Sequence, residues 1–143
     1  MRKNWDEYFM DIVEMVKTRS TCPRLSVGCV IVKDKKIIST GFNGSPTKTE
    51  QCDEVGCLIK KSPDGKENCV RVVHGEQNAL LQAGKEAIGG TIYINYSPCP
   101  ICVKLLIQAG IKRIVYKEPY KIEDIDYWIQ TSGVVFEQWQ KKE

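Results

Sequence analysis

Apolar residues recur at helical spacing over Trp5, Tyr8, Phe9, Ile12, Val13 and Val16, so residues 4–18 read as an amphipathic first helix. The period then changes. Val27 to Val32 is rich in β-branched residues and reads as a strand, Asp34-Lys35-Lys36 as a turn, and Ile37 to Phe42 as the returning strand of a hairpin. From Asn43 to Arg71 the chain is polar and irregular apart from three cysteines, and an irregular stretch of that length calls for a function or a metal to hold it. Periodicity resumes after His74, where Ala79, Leu80, Leu81 and Ala83 indicate a helix stopped by Gly84. Thr91 to Asn95 reads as a strand. Ser97 and Pro98 read as the N-cap and first residue of a helix through Leu105 and Ile107 to Gly110. A strand over Ile111 to Tyr116, a helix over Ile122 to Gln130 and a short strand over Val134 to Phe136 complete the pattern.

A hairpin followed by alternating helices and strands predicts an α/β fold, in which a mixed sheet of about five strands lies between helices in a three-layer α-β-α sandwich. The 143 residues fit a single domain over 1–143, with a real core and no internal repeat. Apolar residues make up 42% and charged residues 27%, ordinary for a soluble globular protein. A net charge of +3 with scattered basic residues permits anionic substrates but is no nucleic-acid footprint. The first eighteen residues alternate charged and apolar side chains and lack the apolar run of a signal peptide, and no run is long enough to span a bilayer. A cytoplasmic protein with its seven cysteines reduced is therefore expected. The odd cysteine count argues against a complete disulfide framework and toward metal.

The chemistry is concentrated in His74-Gly75-Glu76 and Pro98-Cys99-Pro100-Ile101-Cys102. Taken singly these have plain readings: a lone histidine is usually a surface or core residue, a C-x-x-C is a redox pair or half a structural site, and a glutamate near a helix start favours the helix dipole. Together, in this order and with helix starts predicted at both, they form the H-x-E…P-C-x-x-C signature of zinc nucleobase deaminases. One imidazole and two thiolates give zinc three ligands, His74, Cys99 and Cys102, and leave the fourth position for water, as a catalytic site requires. Two helix N-termini aimed at one site lower cysteine pKa values. Glu76 is then the proton carrier: it takes a proton from the acidified water, gives one to the ring nitrogen and later one to departing ammonia.

Over nearly its full length the chain resembles the deoxycytidylate (dCMP) deaminases, on Cys22-Pro23-Arg24-Leu25-Ser26-Val27-Gly28, Gly41-Phe42-Asn43-Gly44-Ser45-Pro46, His74-Gly75-Glu76-Gln77-Asn78-Ala79-Leu80 and Ser97-Pro98-Cys99-Pro100-Ile101-Cys102. The resemblance implies a cytidine deaminase-like fold, catalytic zinc, and hydrolysis of dCMP to dUMP and ammonia in supply of thymidylate synthesis. It implies that Asn43 contacts deoxyribose and base, that the backbone N–H at Gly75 meets the pyrimidine carbonyl, that the backbone around Ser97 reads the exocyclic amine, and that Arg24 lies near the phosphate. Tyr120 is placed over the pyrimidine, and Lys121 stands where the family commonly has an arginine, keeping the charge without the bidentate fork. Surface charge for Arg24 and Lys121, packing for Tyr120 and a left-handed turn for Asn43 are the competing readings. Gly75 departs from the family's usual alanine. The resemblance further implies a homo-oligomer, commonly a hexamer, activated by dCTP and inhibited by dTTP.

Cys22, Cys52, Cys57 and Cys69 are candidate ligands of a second, structural zinc, which some members of the resembled family carry in this region; disulfides or free thiols are the alternative. Cys29, inside a predicted strand, reads as a small buried apolar residue. Competing functions keep the fold but change the substrate to dCTP, a nucleoside or tRNA adenosine, or retire the chemistry into a nucleotide-binding module. Low net charge and the lack of a basic C-terminal helix disfavour tRNA despite Lys141 and Lys142, and the intact Glu76 and three ligands disfavour the module.

Overall fold

A computed structural model describes residues 1–141; Lys142 lies outside the described residues. The first helix, α1, spans Trp5–Val16 and is capped by Asn4, whose side chain accepts the Glu7 N–H at 2.9 Å. Its buried side is Phe9, Met10 and Val13, with Ile12 and Val16 partly buried. Trp5 and Tyr8 were expected on that side but stay half exposed, because Met10 rather than the first turn faces the sheet.

The hairpin forms as the alternation predicts, from β1 (Gly28–Lys33) and β2 (Lys36–Phe42). Asp34 and Lys35 supply its two-residue turn with φ of 52° and 63°, the left-handed pair whose twist matches that of the flanking strands. The stretch from Asn43 to Arg71 departs from the expected irregularity. It holds a one-turn helix α2 (Cys52–Val55) and a small hairpin of β3 (Ile59–Lys61) and β4 (Glu67–Cys69). Both small strands are almost wholly exposed, so no apolar alternation could announce them.

The remaining elements are α3 (Gly75–Ala83), β5 (Thr91–Tyr96), α4 (Pro100–Gln108), β6 (Arg113–Glu118), α5 (Asp126–Ser132) and β7 (Val135–Gln138). The expected helix over Ile122 to Gln130 is divided, with a 3₁₀ turn at Ile122–Asp124 ahead of α5. The expected cap at Ser97 also moves. Its N–H donates to Glu118 O at 3.0 Å and its hydroxyl bonds the Tyr120 backbone, so Ser97 and Pro98 belong to the link and Cys99 is the N-cap of α4, with Pro100 first in the helix.

The five-stranded sheet runs β2-β1-β5-β6-β7, antiparallel through β2-β1-β5 and parallel through β5-β6-β7. Alternation along β1 sends Cys29 and Ile31 to one face and Val30 and Val32 to the other. The first face packs Ala79, Ala83 and Leu106 of α3 and α4, with Ile129 of α5 at its margin; the second packs α1. The mixed α-β-α sandwich is therefore as expected, with one helix on one face and three on the other. Asp6 clamps α1 to the sheet, accepting from Arg113 at 2.8 Å and from Tyr93 at 2.6 Å. The hydrogen bond from Arg113 holds its carboxyl below the usual range. Among the described residues no helix is long and apolar enough to cross a membrane.

Two glycines set the fit of α3 over β2. A Cβ at Gly41 would stand 2.1 Å from Gly75 O and 2.6 Å from Ala79 N, whereas one at Gly75 would meet its nearest neighbours at 3.4 Å, ordinary contact. Gly41→Ala should therefore cost more than about 2 kcal/mol in urea unfolding, while Gly75→Ala should be near neutral. Equal effects from the two would refute this account of the β2–α3 contact.

Candidate active site

Two helix starts converge at the site. His74 is the N-cap of α3, with extended backbone, and Cys99 is the N-cap of α4 with Cys102 in its first turn. His74 Nδ1 lies 3.2 Å from Cys102 Sγ and 3.5 Å from Cys99 Sγ, and the three ligand atoms all lie within 4.8 Å of one another. Nitrogen and sulfur donors on one tetrahedral zinc sit about 3.6 Å apart, so spacing and donor set both fit that ion. Gln77 fixes the approach by accepting the His74 N–H at 2.9 Å, and Asn78 donates to Phe42 O at 2.9 Å, tying the helix to the end of β2. The sequence reading passed over Gln77, although the third position after a helix cap is where a glutamine reaches back.

Cys102 donates its proton to Cys99, which, with His74 also bonding it, holds the Cys99 thiol down at about 4. The same hydrogen bond, then burial and the nearby Glu76, pushes Cys102 up. Bonding to Cys99 raises His74. Glu76, only 4% exposed, is pushed up to about 7 by burial, against the opposing pull of its own backbone N–H and His74. A carboxyl poised there can both accept and release protons near neutral pH.

Asn43 is buried and its φ is not positive, so the left-handed-turn reading fails. Its side chain holds the loop before β1: Oδ1 accepts from Val27 N at 2.9 Å and from Ser20 Oγ, and Nδ2 donates to Leu25 O at 2.7 Å. Gly75 is buried in the first turn of α3, and Ser97 is buried with its hydroxyl bonded to Tyr120 O and N at 3.0 and 2.6 Å. Tyr120 is 41% exposed and meets Tyr96 edge-on at 6.5 Å. Lys121 takes a left-handed conformation with Nζ 5.2 Å from the Tyr120 ring centroid, and Arg24 is exposed.

Cys52, Cys57 and Cys69 form a second cluster with ligand atoms within 4.8 Å of one another, and Cys52 and Cys69 Sγ are 3.6 Å apart. Burial and its thiol neighbours raise Cys52 to about 11; against its own burial, bonds from the Arg71 and Leu58 backbone lower Cys69. Cys22, expected as the fourth ligand, stands outside that group. Its N–H is held by Ser20 Oγ at 3.2 Å, yet it is near enough for its charge to help raise Cys57, after burial and Cys69. Cys29 is fully buried in β1, as read. Two residues that the sequence did not single out, Ser45 and Arg71, carry a buried Oγ and Nε without a partner among the described residues.

A mixed sheet with a His/Cys/Cys cluster at two helix starts, beside a buried carboxyl, defines a zinc enzyme of the α-β-α class. The chain belongs to the cytidine and deoxycytidylate deaminase zinc-binding family, whose profile matches residues 3–118. It is 41% identical to ComE operon protein 2 of Bacillus subtilis (strain 168), over 96% of this chain and 72% of that one. It is 34% identical to the deoxycytidylate deaminase of Saccharomyces cerevisiae, over 97% of this chain but 46% of that one, so it spans about half the yeast enzyme. Among solved structures, the dCMP deaminase of cyanophage S-TIM5, in complex with dCMP and dUMP, superposes with a TM-score of 0.80 at 32% identity, covering 97% of this chain and 99% of that one.

The burial of Glu76 has a signature in stability. Its folded pKa of about 7 lies above the ordinary 4.5, so the metal-free fold binds its proton more tightly than the unfolded chain. Below about pH 4.5 the carboxyl is neutral in both states; as pH rises toward 7 the unfolded chain ionises first and stability falls, levelling off above 7. Metal-free protein should therefore lose on the order of 3 kcal/mol relative to Glu76→Gln between pH 4.5 and 8 in urea unfolding. Parallel stability curves would refute the burial of this carboxyl.

Proposed function

We propose that this chain hydrolyses dCMP to dUMP and ammonia in the supply of thymidylate, through one domain over residues 1–143. The observation that carries the reading is buried Glu76 beside His74, Cys99 and Cys102 at two converging helix starts. Its support includes the likeness to a solved dCMP deaminase over nearly the whole chain.

His74, Cys99 and Cys102 would hold the zinc. When bound, the ion supplies Lewis acidity that brings the pKa of water toward about 7. Glu76 would take one proton from the attacking water and give it to ring nitrogen N3 as the C–O bond forms at C4, then take the second from the new C4 hydroxyl and give it to the exocyclic amine as the C–N bond breaks and ammonia leaves. The Gly75 N–H would meet the pyrimidine carbonyl, the Ser97 backbone the exocyclic amine, and Tyr120 the face of the base. Asn43 would meet the deoxyribose while it orders residues 20–27. Arg24 and Lys121 would lend positive charge at the mouth.

The proposal extends to dCTP and dTTP as effectors, to a homo-oligomer of hexameric order and to the cytoplasm. Leu81, Ile101 and Leu105 offer exposed apolar surface for self-association. The cluster at Cys52, Cys57 and Cys69, with Cys22 beside it, would hold a second, structural zinc.

Zinc-loaded protein should release ammonia from dCMP, and Glu76→Gln should keep its zinc while losing roughly 10²–10⁴-fold in kcat. Turnover that survives the substitution would remove Glu76 from the chemistry. Bound zinc measured by mass spectrometry should fall from two per chain to one in Cys69→Ser, with a lowered Tm; one zinc per chain in the unaltered protein would dismiss the second site.

A further inference from the structure

One side chain ties together segments that lie far apart in the sequence. Gln51 Oε1 accepts the Thr21 hydroxyl at 2.7 Å and the Ser45 N–H at 2.9 Å, and Nε2 donates to the Ser45 carbonyl at 3.2 Å. The amide thus pairs with both the N–H and the C=O of Ser45, as the backbone of a neighbouring strand would. Asn43 stands between the clamped points: the Thr21 N–H donates to Asn43 O at 3.2 Å, and Ser45 lies two residues further on. Gly44 leaves room for the clamp, since a Cβ there would stand 3.1 Å from Thr21 Oγ1 and 3.4 Å from Gln51 Oε1. The backbone of Gln51 belongs to another unit. It is the N-cap of α2, its carbonyl accepts the Glu54 and Val55 N–H groups at 3.0 Å each, and the next residue is Cys52, buried in the cysteine cluster.

We propose that Gln51 is a positioning residue for the nucleotide: by clamping Thr21 and Ser45 it sets where Asn43 stands, and it ties that placement to the helix that carries Cys52. This rests on the deaminase reading above for what Asn43 meets. Ser45 is buried, so loss of the amide leaves its N–H and C=O without partners, and the segment must shift to let water reach them. The bridge of Gly44 to Val73 survives that loss, so Asn43 moves while the segment stays folded. Only a primary amide accepts and donates in this way; a carboxylate in its place cannot donate to Ser45 O.

The test measures kcat and KM for dCMP and, separately, Kd for dUMP by calorimetry on zinc-loaded protein, with zinc content and Tm followed throughout. Gln51→Ala should raise KM and Kd about 5–30-fold while kcat stays within about 3-fold, because binding is lost equally from ground and transition states. Gln51→Glu keeps both acceptor contacts and should recover part of the loss, and Thr21→Val should show a smaller loss of the same kind. Should Gln51→Ala fail to fold, these two variants carry the same comparison. On an Asn43→Ala background, Gln51→Ala should add little to either constant. A lowered Tm with unchanged KM and Kd would overturn the proposal and leave Gln51 a purely structural tie. Effects additive with those of Asn43→Ala, or a fall in kcat that tracks lost zinc, would also overturn it. Gln51-dependent dUMP binding without any dCMP turnover would support the positioning role and sink the deaminase reading alone. An unaltered protein that binds no dUMP would overturn both.

Discussion

The close approach of two backbones, Gly41 in β2 and Gly75 at the start of α3, governs where the site can form. Because a Cβ at Gly41 would stand 2.1 Å from Gly75 O, only a bare backbone lets the helix start lie this low against the sheet. His74 and Glu76 flank Gly75, so their depth follows from that contact. The bond from Asn78 to Phe42 O and the bridge between Gly44 and Val73 hold the same junction from either side. Burial of Glu76, and with it the raised pKa of its carboxyl, is a consequence of how closely α3 sits.

Around this junction, buried amides do the work that a longer sheet would otherwise do. Asn95 accepts the Gly28 N–H at 2.9 Å and donates to Ser26 O at 2.8 Å, while Asn43 holds Val27 and Leu25. The loop before β1 therefore has no regular structure of its own yet is pinned at several backbone groups, each otherwise an unpaired polar atom. Ser97 does the same for Tyr120. Side chains that the resemblance ties to substrate thus also fix the walls of the cleft.

Hydrophobic period was enough to read the main strands and helices and to place them in a mixed sheet, because β1, β5 and α1 have strong one-sided or continuous burial. It failed where elements are exposed. The strands β3 and β4 bury almost nothing, and the start of α4 is decided by the tie between Ser97 and Tyr120, residues far apart in sequence. For the site, His74, Glu76, Cys99 and Cys102 were legible because their chemistry is local and ordered along the chain. The unpaired polar atoms of Ser45 and Arg71 were not, since such an atom exists only once the fold has removed it from water. Cys22 could be grouped with the other cysteines by type alone, and spacing gave no measure of its distance from them.

The central pairing of the sheet has a kinetic side. β1 meets β5 with Val32 opposite Thr91, so the intervening chain, including β2, the polar stretch and α3, must be gathered into a closed loop before the hairpin and the parallel half become one sheet. Closing a flexible loop costs about 0.6 kcal/mol more for each doubling of its length, and long-range pairings slow the search for the native topology. The length of that polar stretch therefore bears on how quickly the two halves find each other, as well as on what they enclose.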